Sequence, residues 1–108
     1  MPVYLIAQIT IHDRSSYDKY DDGFFEVWEK YDGEVLSVDE APTILDGDWS
    51  ATRSVLLSFP SKEAAMAWAT SPEYIELAKH RVDGAETRSI MVEGFAGEIV
   101  GKPNLPSR

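Results

Sequence analysis

Apolar positions recur along this chain in two rhythms, one close to two residues and one close to three and a half, and their alternation sets out a series of elements. Val3 to Ile11 is rich in β-branched and aromatic residues and apolar at nearly every position, which predicts a central strand covered on both faces. Beyond it Tyr17, Tyr20, Phe24, Val27, Trp28 and Tyr31 recur at three- and four-residue steps, while Asp18, Asp21, Asp22, Glu26 and Glu29 take the opposite side. This is the pattern of an amphipathic helix capped by Asp13 or Ser15. It is expected to end near Asp32-Gly33, with Gly33 in the left-handed position that stops helices.

Glu34 to Val38 predicts a second strand, and Thr43 to Leu45 a short returning segment after the turn Asp39-Glu40-Ala41-Pro42. Arg53 to Phe59 is a third strand with Val55, Leu57 and Phe59 on one side and Leu56 on the other. Ser61 caps a helix containing Ala64, Ala65, Ala67 and Trp68, and Ser71-Pro72-Glu73 restarts helix with a cap, a first-turn proline and an acid that suits the dipole. Tyr74, Leu77, Ala78 and Arg81 line one side of this second piece, Asp83-Gly84 stops it, and Thr87 to Glu93 alternates as a last strand. The order is βαββαβ. It predicts an α+β, ferredoxin-like fold over residues 1–94, a four-stranded antiparallel sheet with the helices on one face, followed by an extended tail over 95–108. The uncovered sheet face is apolar enough to call for a second copy of the chain, hence a homodimer.

Composition narrows the function classes. With 44% hydrophobic and 27% charged residues over 108 positions, and no apolar run long enough for a membrane helix, the chain reads as one globular domain with no membrane partner. The opening residues lack the pattern of a secretory signal, and zero cysteines exclude disulfides and thiolate chemistry, so a cytoplasmic location is expected. Twelve of the nineteen carboxylates lie between Asp13 and Asp48, within a net charge of −9. That field repels phosphate backbones, so no nucleic-acid partner is expected.

The ordered set of Asp13 before Tyr17 and Tyr20, the Gly33 turn, Leu45-Asp46-Gly47-Asp48-Trp49 followed by Arg53, Phe59-Pro60-Ser61, Ala67-Trp68 and Ser71-Pro72-Glu73-Tyr74 resembles the domain-of-unknown-function 1330 family, within the dimeric α+β barrel superfamily. The resemblance spans about residues 3 to 94. It implies the ferredoxin-like fold and a dimer whose two sheets face each other as a barrel. Relatives in that superfamily include cofactor-independent monooxygenases, lactone isomerases, haem-handling enzymes and sensing domains, commonly with a pocket between helices and sheet. Where such proteins often carry two glycines and an arginine, this chain has Asp32-Gly33-Glu34, which removes a cation from the pocket mouth and leaves Arg53 as the main local one.

Residues able to carry chemistry are few. The two histidines, His12 and His80, show no metal-ligand spacing, so no metal site and no cofactor are expected. His80 is a candidate general base, against the plainer reading of a helix-terminal histidine favoured by the dipole. Asp46-Gly47-Asp48-Trp49 is a turn that its own backbone bonds account for. In the functional reading Trp49 lids a pocket while Asp48 and Arg53 orient a polar ligand; otherwise Arg53 is a partner for Asp48 or Asp46. The aromatic set, with Trp68 foremost, is read as core, with the phenols of Tyr17 and Tyr74 able to reach a cavity. Three functions follow from these residues and the resemblance. The first is a homodimer binding a small apolar or phenolic molecule through Arg53, Trp49, Tyr17 and Tyr74. The second is a cofactor-independent monooxygenase or isomerase of a phenolic or enolisable substrate, with His80 or Asp48 moving a proton. The third is a structural or protein-interaction dimer.

Overall fold

The computed structural model describes residues 1–95; the tail expected over 95–108 lies, from residue 96 on, outside them. The elements are β1 (Val3–Ile11), α1 (Arg14–Trp28), β2 (Glu34–Asp39), β3 (Arg53–Phe59), α2 (Lys62–Ala69), α3 (Pro72–Gly84) and β4 (Ala85–Glu93). The strands form one sheet in the order β2-β3-β1-β4, each antiparallel to its neighbours. Each helical crossover therefore skips a strand, as the βαββαβ order requires. No helix among the described residues is long and apolar enough to cross a membrane.

Local chemistry accounts for the helix starts. Asp13 caps α1, accepting hydrogen bonds from the Ser15 and Ser16 amides at 3.1 and 3.4 Å and from the Ser15 hydroxyl at 2.7 Å. The Ser15 hydroxyl and the Ser16 amide hold its carboxyl below the usual range. Ser61 caps α2 through the Ala64 amide. Ser71 joins α2 to α3: its hydroxyl donates to the Trp68 carbonyl at 2.9 Å and accepts from the Tyr74 amide at 3.1 Å, so this buried polar group is satisfied on both sides.

Three boundaries differ from expectation. Helix α1 ends at Trp28 rather than near Asp32, and Gly33 does not have a positive φ. A Cβ at Gly33 would lie 2.5 Å from the Trp28 ring and 2.7 Å from the Phe59 ring, so packing space excludes a side chain there, not a left-handed backbone. The segment 43–45 forms no strand, because β2 is an edge and nothing pairs beyond it; Ile44 and Leu45 are exposed instead. The last strand begins at Ala85, directly from the end of α3. The Gly84 carbonyl there accepts both the His12 and Asp13 amides, at 2.9 and 3.1 Å, which fixes the end of α3 to the start of α1.

Strand register decides which residues meet the helices. Val3, Leu5, Ala7, Ile9 and Ile11 face them from β1, with Arg53, Val55, Leu57 and Phe59 opposite on β3, and Ala85, Thr87, Ser89 and Met91 on β4. At one end of this face Trp28, Phe59 and Trp68 meet pairwise with ring centroids 5.0 to 5.6 Å apart, and Tyr74 lies 4.1 Å from Trp68. The opposite face is uncovered within the chain: Leu56, Ile6 and Ile90 form a row across three strands, with Tyr4 and Val92 beside it. Because Trp68 touches every ring of the cluster, Trp68→Ala should lower the unfolding free energy by about 3–5 kcal/mol. Urea denaturation checks this, and a loss below about 1 kcal/mol would show that the cluster is not the core.

Candidate functional site

Beyond the aromatic cluster the helices and the sheet part around a cavity of about 500 Å³. Its floor follows from side-chain size. One row of the sheet reads Val35, Leu57, Leu5, Met91; the next reads Val38, Val55, Ala7, Ser89. Ala7, in the middle of the central strand, is too short to reach the helix above it, and Ser89 adds no bulk. The walls are Tyr17, Tyr20, Asp21 and Phe24 of α1, which share one helical face at three- and four-residue steps, together with Trp68 of α2 and Tyr74 and Arg81 of α3.

Polar groups are set into this apolar lining. Arg53 Nη1 lies 2.9 Å from Asp21 Oδ2 and 3.2 Å from Glu40 Oε2, and its guanidinium stands 5.2 Å from the Tyr17 ring centroid. Tyr20 and Tyr74 share a buried hydroxyl–hydroxyl hydrogen bond of 2.7 Å. The Arg81 guanidinium lies 5.8 Å from the Tyr20 ring centroid. Arg53 Nε, Trp68 Nε1 and Thr87 Oγ1 are buried without a hydrogen-bond partner in the protein, and all three residues line the cavity. Unpaired buried donors are costly, and these three atoms are shut off from solvent as well as from protein partners.

Of the residues singled out in the sequence, Tyr17, Tyr74 and Arg53 line this cavity and Asp48, Trp49 and His80 do not. Asp48 is exposed on the 40–52 loop, whose turn does use Gly47 at a φ of 74°, and Trp49 beside it is half-buried. His80 is half-buried on α3, one residue from Arg81, and His12 is exposed. The partners of Arg53 are Asp21 and Glu40, in place of Asp48 or Asp46. Sequence reasoning passed over Tyr20, Asp21, Arg81 and Thr87 as site residues. Asp21 stands four positions after Tyr17 and Arg81 seven after Tyr74, so helical spacing was the signal that placed them beside residues already chosen.

Burial, partly offset by the Arg53 charge, pushes the Tyr17 phenol up to about 12. Burial and then the neighbouring Tyr74 push Tyr20 up as well. A phenol whose folded value is raised adds stability that is whole below its ordinary value of 10 and lost as pH climbs through the folded value. Phenolate absorbance in an alkaline titration should therefore show Tyr17 un-ionised at pH 10 and titrating near pH 12, with Tyr20 un-ionised for as long as the fold holds. Ionisation of all five tyrosines around pH 10 with the circular dichroism still native would contradict this.

Comparison with known proteins places this geometry. No curated protein matches the sequence. Among solved structures, a protein of unknown function from Rhodopseudomonas palustris, RPA0582, superposes with a TM-score of 0.73 at 19% identity over 88% of this chain and 83% of its own. SnoaB, a cofactor-independent oxygenase from Streptomyces nogalater, gives 0.64 at 8% identity over 88% and 94%. A dimeric ferredoxin-like protein of unknown function from Jannaschia sp. CCS1 gives 0.64 at 12% identity over 87% and 100%. At these identities the likeness is one of fold, and the fold is ferredoxin-like. The family model described as Domain of unknown function (DUF1330) matches residues 2–95, the whole of the sheet and its helices, and the chain belongs to that family.

Proposed function

We propose that the chain is a homodimeric small-molecule-binding domain whose ligand occupies the cavity between helices and sheet. The cavity itself carries the reading. The cavity is partly open to solvent, so it is not a sealed void. The space is therefore filled, by water or by a ligand. Its size falls in the range of roughly 300–1,000 Å³ typical of ligand pockets, and its few polar groups stand in an apolar lining as such pockets require. Arg53, Tyr17 and Tyr74 are the ligand contacts anticipated in the sequence, and Tyr20 and Thr87 join them.

Catalysis without a cofactor is the second reading, supported by the buried Tyr20–Tyr74 hydroxyl pair and by the fold-level likeness to a cofactor-independent oxygenase. In that case the phenol pair, at hydrogen-bond distance within the cavity, takes the proton-moving role first given to His80 and Asp48.

Two experiments test the proposal. Ala7→Leu fills the floor of the cavity, so the variant should melt at or above the temperature of the parent and lose the thermal shift that small aromatic and alkyl compounds give the parent. Equal shifts in both proteins would place binding elsewhere. For the dimer, Ile90 is 59% exposed in the single chain, which leaves an acid there harmless to the monomer fold. Light scattering at micromolar concentration should give twice the chain mass for the parent and the single-chain mass for Ile90→Asp; a monomeric parent would overturn the pairing of sheet faces.

A further inference from the structure

The two cations that line the cavity are not equivalent. Arg53 is engaged by the carboxylates of Asp21 and Glu40. Arg81 has no ion-pair partner among the described residues; its neighbours are the phenols of Tyr20 and Tyr74. An arginine in the last turn of a helix also answers the helix dipole, but a solvent-facing side chain suffices for that. Arg81 instead lines the cavity, between the aromatic wall and the sheet. Burial works against its charge, and the Tyr74 and Tyr20 phenols more than offset that. Asp21 and Glu40 both answer Arg53, so Arg81 is the lining cation left without a carboxylate among the described residues, inside a chain of net charge −9. The Tyr20–Tyr74 hydroxyl pair belongs to the same lining.

We propose that the cavity takes a small organic anion, an oxygen-centred charge on an aryl or alkyl body, with the charged oxygen held by Arg81 and the body against Ala7, Val55 and Leu57. The inference rests on the reading of the cavity as a ligand site and adds the charge of the ligand. A planar guanidinium in a partly dry site favours a carboxylate, enolate or phenolate oxygen over its uncharged analogue, because charge attraction is added to the hydrogen bond and a carboxylate can take the fork on both oxygens.

The test compares acids with their primary amides by isothermal titration calorimetry at neutral pH, using cinnamate, hydrocinnamate and decanoate with cinnamamide, hydrocinnamamide and decanamide. The unaltered protein should bind the tightest acid about tenfold more strongly than its amide. In Arg81→Gln the acid should lose far more affinity than the amide, so that the preference disappears, and Arg81→Lys should keep part of it. Acid and amide binding alike to the unaltered protein would overturn the anion while leaving the cavity reading in place. A preference that survives Arg81→Gln would overturn the role of Arg81. If no acid or amide binds, both the anion and the cavity reading fail. The comparison on the unaltered protein stands by itself where Arg81→Gln does not fold.

Discussion

Three rings, Trp28, Phe59 and Trp68, set the spacing on which the rest of the molecule depends. One comes from α1, one from β3 and one from α2, so their mutual contact ties both crossovers to the sheet at a single point. Rings of this size are rigid and bury large areas, which makes the distance they impose between layers hard to compress. Away from that point the sheet presents Ala7 and Ser89 where it elsewhere presents Leu5 and Met91, and the layers cannot close over the gap. The cavity is thus a consequence of packing: bulk at one end of the interface and its omission at the other.

The chemistry of the cavity is shaped by the same arrangement. Four α1 residues that a helix must present together include three aromatic rings and one carboxylate, and the carboxylate is spent on Arg53. Tyr20 and Tyr74 come from different helices, yet their hydroxyls meet, because α1 and α3 pack closely, with the end of the Leu77 side chain lying against the glycine at position 23. The acidic surface that dominates the formal charge lies mostly outside this space. Net charge alone would have described the molecule as hostile to anions, whereas inside the lining Arg81 stands without a carboxylate partner among the described residues.

What could be read from the sequence divides along the range of the information involved. Strands, helices and all three caps at Asp13, Ser61 and Ser71 were legible because each depends on residues within one turn or one alternation. Gly33 was misread because the reason for it, the meeting of the Trp28 and Phe59 rings, is a contact between distant segments. Thr43–Leu45 has strand-like residues but no neighbouring strand, which composition cannot reveal. In the site, Tyr17, Tyr74 and Arg53 were legible as polar groups on inward-facing stripes. The 46–49 turn drew attention by its residue types, and Arg81 escaped it although it lay on the same stripe as Tyr74, because a charge on a helix is ordinarily assigned to solvent.

The joint at Gly84 has a consequence for how this chain tolerates changes of length. Helix passes to strand there without a loop, and the same carbonyl that ends α3 is bonded to two amides at the other end of the fold, so no slack exists to absorb an added residue. An insertion early in β4 would slip its register by one. Thr87 and Ser89 would turn outward, and Glu86 and Arg88 would take their places over the cavity floor. At the opposite edge, β2 already accommodates one extra residue as an irregularity between Val35 and Ser37, and residues 43–48 of the loop beyond it are exposed. Insertions and deletions can therefore accumulate on the β2 side of the sheet, whereas on the β4 side the fold can vary only by substitution.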